Sequence, residues 1–100
     1  MPSQSATSGR RRFDHLVTEL SVAIGGRIPR YALWLRMHEH GWNPDDLSRD
    51  QVVLFCGTPL SGFLAARGLR IRARALRRLQ REMERYDPAL PTPYERMARF

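Results

Sequence analysis

Lysine is absent from this sequence, and its 17 permanently basic residues are all arginine. Cysteine is almost absent, because Cys56 is the only one among 100 residues, so no disulfide can form within the chain. The sequence also lacks a run of about 18 apolar residues, the length needed for a membrane-spanning helix. We therefore expect a cytoplasmic protein that is held together by packing and does not associate with a membrane.

Acidic residues are few, so the chain is strongly basic. Ten Asp and Glu leave a formal net charge of +7, and the sequence pI is about 11.2. The 42% of hydrophobic residues suits one small core rather than two. Such a charge favours partners rich in phosphate or carboxylate, and the planar guanidinium of arginine can bind both with paired hydrogen bonds.

The segment from Leu69 to Tyr86 is expected to form one helix with two different faces. At about 100° per residue, six arginines fall within an arc of about 100°, and the apolar residues fall on the opposite side. That apolar side is expected to pack against Phe55 and Phe63. The candidate anion-binding residues of this arginine stripe are Arg70, Arg74, Arg77, Arg78, Arg81 and Arg85.

Helix stability does not account for such a stripe. Like charges four residues apart each destabilise a helix by about 0.2–0.5 kcal/mol, and only Arg78 with Glu82 supplies a clear compensating pair at that spacing. The stripe would be about 22 Å long and could reach about three to five phosphates of a nucleic acid. The alternative is a structural role, in which the arginines pair with acidic residues of the same chain, namely Glu39, Asp45, Asp46 and Asp50.

Residues 51–67 resemble a helix–turn–helix unit. Gly57 stands where the glycine of such a turn belongs, and a short helix follows it. The resemblance implies DNA binding, with Ser61 and Arg67 of the second helix as candidate contacts to base edges. The alternative is an ordinary pair of packed helices joined by a tight turn.

Residues 1–11 are polar and show no apolar periodicity. We expect them to form a disordered basic arm, followed by a single helical domain over residues 12–100. A basic arm can enter a minor groove or lie along phosphates, whereas many termini of this kind only improve solubility. The candidate contacts of the arm are Arg10, Arg11 and Arg12.

Four further segments have the apolar spacing of amphipathic helices, at about residues 12–24, 30–40, 49–56 and 59–67. Ser48 and Gln51 have the spacing of a capping box, and Thr58 is expected to cap the helix that follows it. A continuous apolar run at residues 52–56 predicts the most buried helix. A second cap signal at Thr92 predicts a short final helix. We therefore expect an all-α fold, a single compact bundle of four main helices plus a short C-terminal helix.

Aromatic residues on the second predicted helix suggest a different kind of site. Tyr31 and Trp34 share one side of that helix, Trp42 follows it, and Arg30 and Arg36 lie nearby. Exposed rings beside cations can stack on unpaired bases. The ordinary alternative is that Trp34 belongs to the core.

The residues that could form a catalytic or metal-binding set are His38, Glu39 and His40 with Cys56 and His15, and their spacing does not assemble into one. His38 and His40 point about 200° apart on a helix and cannot share an ion. Cys56 lies in the most apolar segment, which favours an inert buried thiol. We therefore expect no enzymatic activity, no metal and no cofactor.

These observations lead to a functional prediction with two alternatives. We expect a non-enzymatic protein that docks its arginine helix on duplex DNA, in a transcriptional or nucleoid-regulating role. The main alternative is an adaptor or assembly subunit, such as a homodimer, in which the arginines pair with an acidic protein and the apolar side of the same helix forms an interface. The second alternative is a protein that binds a small phosphorylated ligand through two or three of these arginines.

Overall fold

The computed structural model describes residues 4–88, with side chains from Arg10 onward. This part of the chain contains five α-helices, one short 3₁₀ helix and no strand, which confirms the all-α class. In chain order the elements are α1 (Gln4–Ile24), α2 (Arg30–Glu39), the 3₁₀ helix (Pro44–Asp46), α3 (Arg49–Phe55), α4 (Thr58–Ala65) and α5 (Ala73–Arg85). The predicted short C-terminal helix lies outside the described residues.

Two details of the predicted architecture need correction. All five helical segments located in the sequence are present, the arginine-rich one as α5, so residues 4–88 hold five main helices and the predicted count of four was one too few. Residues 4–11, expected to belong to a disordered arm, form the first two turns of α1. The helical hydrogen bonds of the amphipathic segment continue towards the N-terminus through polar residues, which do not prevent a helix from extending.

Local signals in the sequence place most helix ends correctly. Gly25, Gly41 and Gly68 have φ angles of 76°, 83° and 71°, the left-handed conformation that commonly ends a helix. The capping box at the start of α3 is confirmed, since Ser48 and Gln51 each accept a hydrogen bond from the other's backbone N–H.

The start of α4 differs from the prediction. Thr58 was expected to be the cap, but it is the first helical residue, and Gly57 precedes it as the N-cap without a side-chain hydrogen bond. Pro59 therefore occupies the second helical position, where proline is tolerated, and the Thr58 hydroxyl does not cap the helix.

Helix α1 lies at the centre of the packing. It contacts the 3₁₀ helix, α3 and α5, and α3 also packs against α4 and α5. Each of the longer helices supplies fully buried side chains to one core, among them Phe13, Leu16, Leu20, Leu33, Met37, Val52, Phe55, Leu60, Leu64 and Met83.

Tertiary packing changes which faces of α2 and α3 are buried. On α2 the buried residues are Leu33 and Met37, whereas Tyr31 of the predicted aromatic side is 72% exposed. On α3 the apolar run is interrupted by Leu54, which is 65% exposed, so α3 is amphipathic rather than buried all round.

Helix α5 begins four residues later than the pattern predicts. The chain leaves α4 through Gly68, and Leu69 donates its N–H to the carbonyl of Leu64 at 2.8 Å, which closes the end of α4. Arg72 then has extended backbone angles and serves as the N-cap of α5. Among the described helices, none is both long enough and apolar enough to cross a membrane.

Candidate nucleic-acid interface

Five arginines of α5 form one continuous cationic surface, which we call the arginine face. Its members recur at intervals of three and four residues, so the helix presents them on the same side. All are exposed, and their side chains enclose a groove of about 500 Å³. The residues of the arginine face are Arg74, Arg77, Arg78, Arg81 and Arg85.

Four of these five arginines have no acidic partner within the described residues. Arg85 is the exception, since its Nη2 lies 3.0 Å from Oε2 of Glu82. The predicted pair of Arg78 with Glu82 does not form, because Glu82 instead contacts Arg85 and His15. Within the part of the chain that the structure describes, the acidic residues considered in the structural alternative do not pair with the face: Glu39, Asp45, Asp46 and Asp50.

The arginine face is not explained by the stability of α5 itself. The helix has no side-chain cap at Arg72 and no acidic residue in its first turn. Arg74 lies near the positive end of the helix dipole, where a cation is unfavourable. Three pairs of like charges four residues apart add about 1 kcal/mol of repulsion. Packing on the opposite side must therefore hold the helix in place.

That opposite side is buried in the core. Leu79 is 3% exposed, Met83 is fully buried and Tyr86 is 7% exposed. These residues pack where α5 meets α1 and α3. Phe55, which was predicted to pack against them, lies on α3, whereas the contact between α5 and α1 was not predicted. The helix is thus fixed by one face and free to bind with the other.

The remaining predicted contacts near α5 lie outside the arginine face. Arg70 is exposed in the non-helical segment before α5, so the stripe loses one member and shortens to about 16 Å. In the helix–turn–helix-like pair, the guanidinium of Arg67 lies 4.9 Å from the ring centroid of Phe63. The Ser61 hydroxyl, at 3.5 Å, donates to the carbonyl of Gly57. Each side chain is exposed and also contacts a residue of α4 or its N-cap.

The arginines of the predicted arm have different surroundings. Arg10 is exposed on α1. Arg11 donates to the carbonyl oxygen of Pro88 at 2.6 Å, and Arg12 donates to that of Leu47 at 2.9 Å. Arg11 and Arg12 therefore tie α1 to two distant parts of the chain.

The aromatic side of α2 forms a stacked series of rings. The centroids of Tyr31 and Trp34 are 6.3 Å apart and those of Trp34 and His38 are 5.2 Å apart, with nearly parallel planes in both pairs. Trp34 is half-buried and packs against the core, as its ordinary interpretation predicts. Trp42 packs separately, against His40 and Phe55.

The only cysteine is not poised for chemistry. Cys56 is fully buried at the end of α3, and desolvation raises the pKa of its thiol to about 12. The thiolate is therefore negligible at neutral pH, in agreement with the prediction of an inert thiol.

One cluster was missed by the sequence reasoning. His15 on α1 lies 3.2 Å from Glu82 on α5 and 3.9 Å from Glu19, one turn further along α1. The spacing of His15 and Glu19 was a visible signal, since residues four apart share a helix face. Glu82 is 63 residues away from Glu19, and no local pattern could connect them.

Comparison with protein-family models, with curated proteins and with solved structures found no similar protein. The arginine face must therefore be interpreted from its own chemistry.

Proposed function

We propose that this protein is a non-enzymatic DNA-binding protein that docks its arginine face along the phosphates of duplex DNA. The observation that carries the proposal is the set of five exposed arginines on one side of α5, four of them without an acidic partner in the described part of the chain. Unpaired guanidinium groups that repel one another in the free protein gain from binding a line of phosphates.

The chemistry of the face favours backbone contacts over base recognition. Its exposed hydrogen-bonding groups are arginine side chains, and such groups bind phosphate oxygens on any sequence. The candidate base-edge contacts of the helix–turn–helix-like pair, Ser61 and Arg67, are exposed but also make intramolecular contacts, so that pair offers fewer free donors than the arginine face. We therefore propose a regulator that binds with low sequence specificity, in the manner of a nucleoid or accessory transcription factor, in the cytoplasm.

A charge-reversal experiment tests the proposal. Binding of the full chain to a fluorescent 20-base-pair duplex would be measured by anisotropy at 50 and 200 mM NaCl. The variant R77E/R81E changes the net charge by −4 on the face, and the matched control R27E/R49E makes the same change at two exposed arginines elsewhere. We expect the first variant to lose about 100-fold in affinity at 50 mM NaCl and the control to lose less than about tenfold.

Equal losses in the two variants would refute a localised interface, because they would show that only net charge matters. Absence of duplex binding at 50 mM NaCl would refute the proposal altogether. Circular dichroism of both variants would establish that each is folded.

The rival proposal is an adaptor that pairs its arginines with an acidic protein. It also required the apolar side of the arginine helix as an interface, but Leu79, Met83 and Tyr86 are already buried within the chain. Leu69 and Leu76, the other two apolar residues of the predicted interface, are half-buried, so its polar part and a smaller apolar part remain available. Nuclease treatment followed by size-exclusion chromatography at low salt separates the two proposals, since a homodimer or a complex with an acidic protein would keep its mass after nuclease, whereas a complex with DNA would lose it.

A further inference from the structure

We propose that His15, Glu19 and Glu82 form a binding site for a divalent transition-metal ion, with Zn²⁺ as the best match. The site lies where α1 packs against α5, and the proposal does not rest on DNA binding, although Arg85 of the arginine face pairs with Glu82 there. Zinc binds one imidazole and two carboxylates in known sites. A zinc ion with three protein ligands keeps a fourth position for water.

The distances between the three donors suit a small ion. Nε2 of His15 lies 3.2 Å from Oε1 of Glu82 and 3.9 Å from Oε1 of Glu19. All three donor atoms lie within 4.8 Å of one another. Ligands on a tetrahedral zinc ion, with bonds of about 2.0–2.2 Å, are separated by about 3.3–3.5 Å. Small side-chain rotations therefore bring the donors onto one ion without a change in the backbone.

Neighbouring residues hold the donors in position. The His15 ring stacks on Tyr86 with centroids 4.1 Å apart and planes 10° apart, which fixes the orientation of the imidazole. Arg85 binds Oε2 of Glu82 and leaves Oε1 directed towards His15. Metal sites commonly need such neighbouring residues, which orient the ligands without binding the metal themselves.

The site is partly open on one side. The side chain of His15 is 9% exposed, whereas those of Glu19 and Glu82 are 36% and 34% exposed. A depression of about 260 Å³ between α1 and α5 is lined by both glutamates and by Arg78. Water could complete the coordination of a bound ion from this side.

Titration calorimetry of the full chain with ZnCl₂ at pH 7.5 tests the proposal, with Co²⁺ absorption as a spectroscopic readout of the ligands. We expect one Zn²⁺ per chain and weak or absent binding of Mg²⁺, which prefers an all-oxygen shell. His15→Phe keeps a ring to stack on Tyr86 and should lower Zn²⁺ affinity about 100-fold, and Glu19→Gln should lower it at least about tenfold.

Two variants serve as matched controls. His38→Phe removes an exposed histidine of α2, and Glu84→Gln removes an exposed glutamate of α5 that lies outside the cluster. Both should leave the affinity and the Co²⁺ spectrum unchanged. The proposal would be overturned by a lack of Zn²⁺ binding at millimolar concentration, or by binding that is lost in His38→Phe and retained in Glu19→Gln. If His15→Phe does not fold, Glu19→Gln decides the result, because Glu19 lies at the open side of the site.

Discussion

The arginines at the start of α1 and those of α5 are the same residue type in two different environments. Arg11 and Arg12 are half-buried and donate to backbone carbonyl oxygens 77 and 35 residues away. Those of the arginine face are exposed, and four of the five have no acidic partner within residues 4–88. A guanidinium group that is already bonded within the chain contributes to stability, whereas an unpaired one is available to a partner. Composition alone does not distinguish the two groups.

The largest expected effect on stability comes from the arginines of α1. We expect R11A/R12A to lower the free energy of unfolding by about 2–4 kcal/mol, because two partly buried carbonyl groups lose their donors. Urea denaturation measures this change. Arg10→Ala, at the exposed neighbouring position, is the control and should stay within about 0.5 kcal/mol of the parent protein. A loss below about 0.5 kcal/mol in the double variant would show that Arg11 and Arg12 contribute no more to stability than exposed arginines do.

The equivalent double substitution on α5 should affect binding instead. We expect R77A/R78A to lower affinity for a 20-base-pair duplex by about 10- to 100-fold at 50 mM NaCl, since two phosphate contacts are lost. Its free energy of unfolding should not fall. Anisotropy and urea denaturation on the same preparation give both quantities, and a large loss of stability would mean that these arginines are structural.

A pH series tests the burial of Cys56 in the core against which α1 and α5 both pack. Burial raises the pKa of Cys56 from 9.0 to about 12, so above pH 9 the unfolded chain releases a proton that the folded chain keeps. Stability from this group is therefore fully present below pH 9 and lost as the pH rises towards 12, at about 1.4 kcal/mol per pH unit. Between pH 8 and 10.5 we expect a loss of about 2 kcal/mol.

The matching control for that series is Cys56→Ala. This variant starts from a lower stability because it leaves a small cavity, but it should lack the pH-dependent loss assigned to the thiol. Denaturation midpoints of the two proteins across pH 8 to 10.5 would be compared. Parallel curves would show that Cys56 ionises as readily in the folded chain as in the unfolded one.

A single substitution on the face should change the salt dependence of binding. Arg78→Gln removes one phosphate contact, so the slope of log affinity against log salt concentration should become shallower by about 0.9. The exposed Arg49→Gln is the control, with an expected change near zero. Anisotropy between 50 and 300 mM NaCl gives the slope. An unchanged slope in Arg78→Gln would place the phosphates elsewhere.

The smallest expected effect has the opposite sign to most mutations. Arg77→Ala removes the like-charge pair with Arg81 and introduces a better helix former, so the free energy of unfolding should rise by about 0.3–0.5 kcal/mol. Urea denaturation at low salt detects it, and the gain should shrink at 0.5 M NaCl because salt screens the repulsion. A decrease in stability would indicate that Arg77 has a structural partner.

Short-range patterns predicted most of the secondary structure. Apolar spacing located all five helices, glycine located the ends of α1 and α4, and Ser48 with Gln51 located the start of α3. The start of α1 was wrong, because residues 4–11 have no apolar periodicity and still continue the helix. The predicted start of α5 was also wrong, since residues 69–72 have amphipathic spacing but are not helical.

The sequence by itself determined the helical class, the basic charge and the one-sided arrangement of arginines on α5, because these follow from composition and from residues three and four apart. Only the tertiary structure decided which arginines are bonded within the chain and which face of α2 is buried. It alone brought His15 and Glu82 together across 67 residues. Those results depend on contacts between segments that are distant along the chain, and local periodicity carries no information about such contacts.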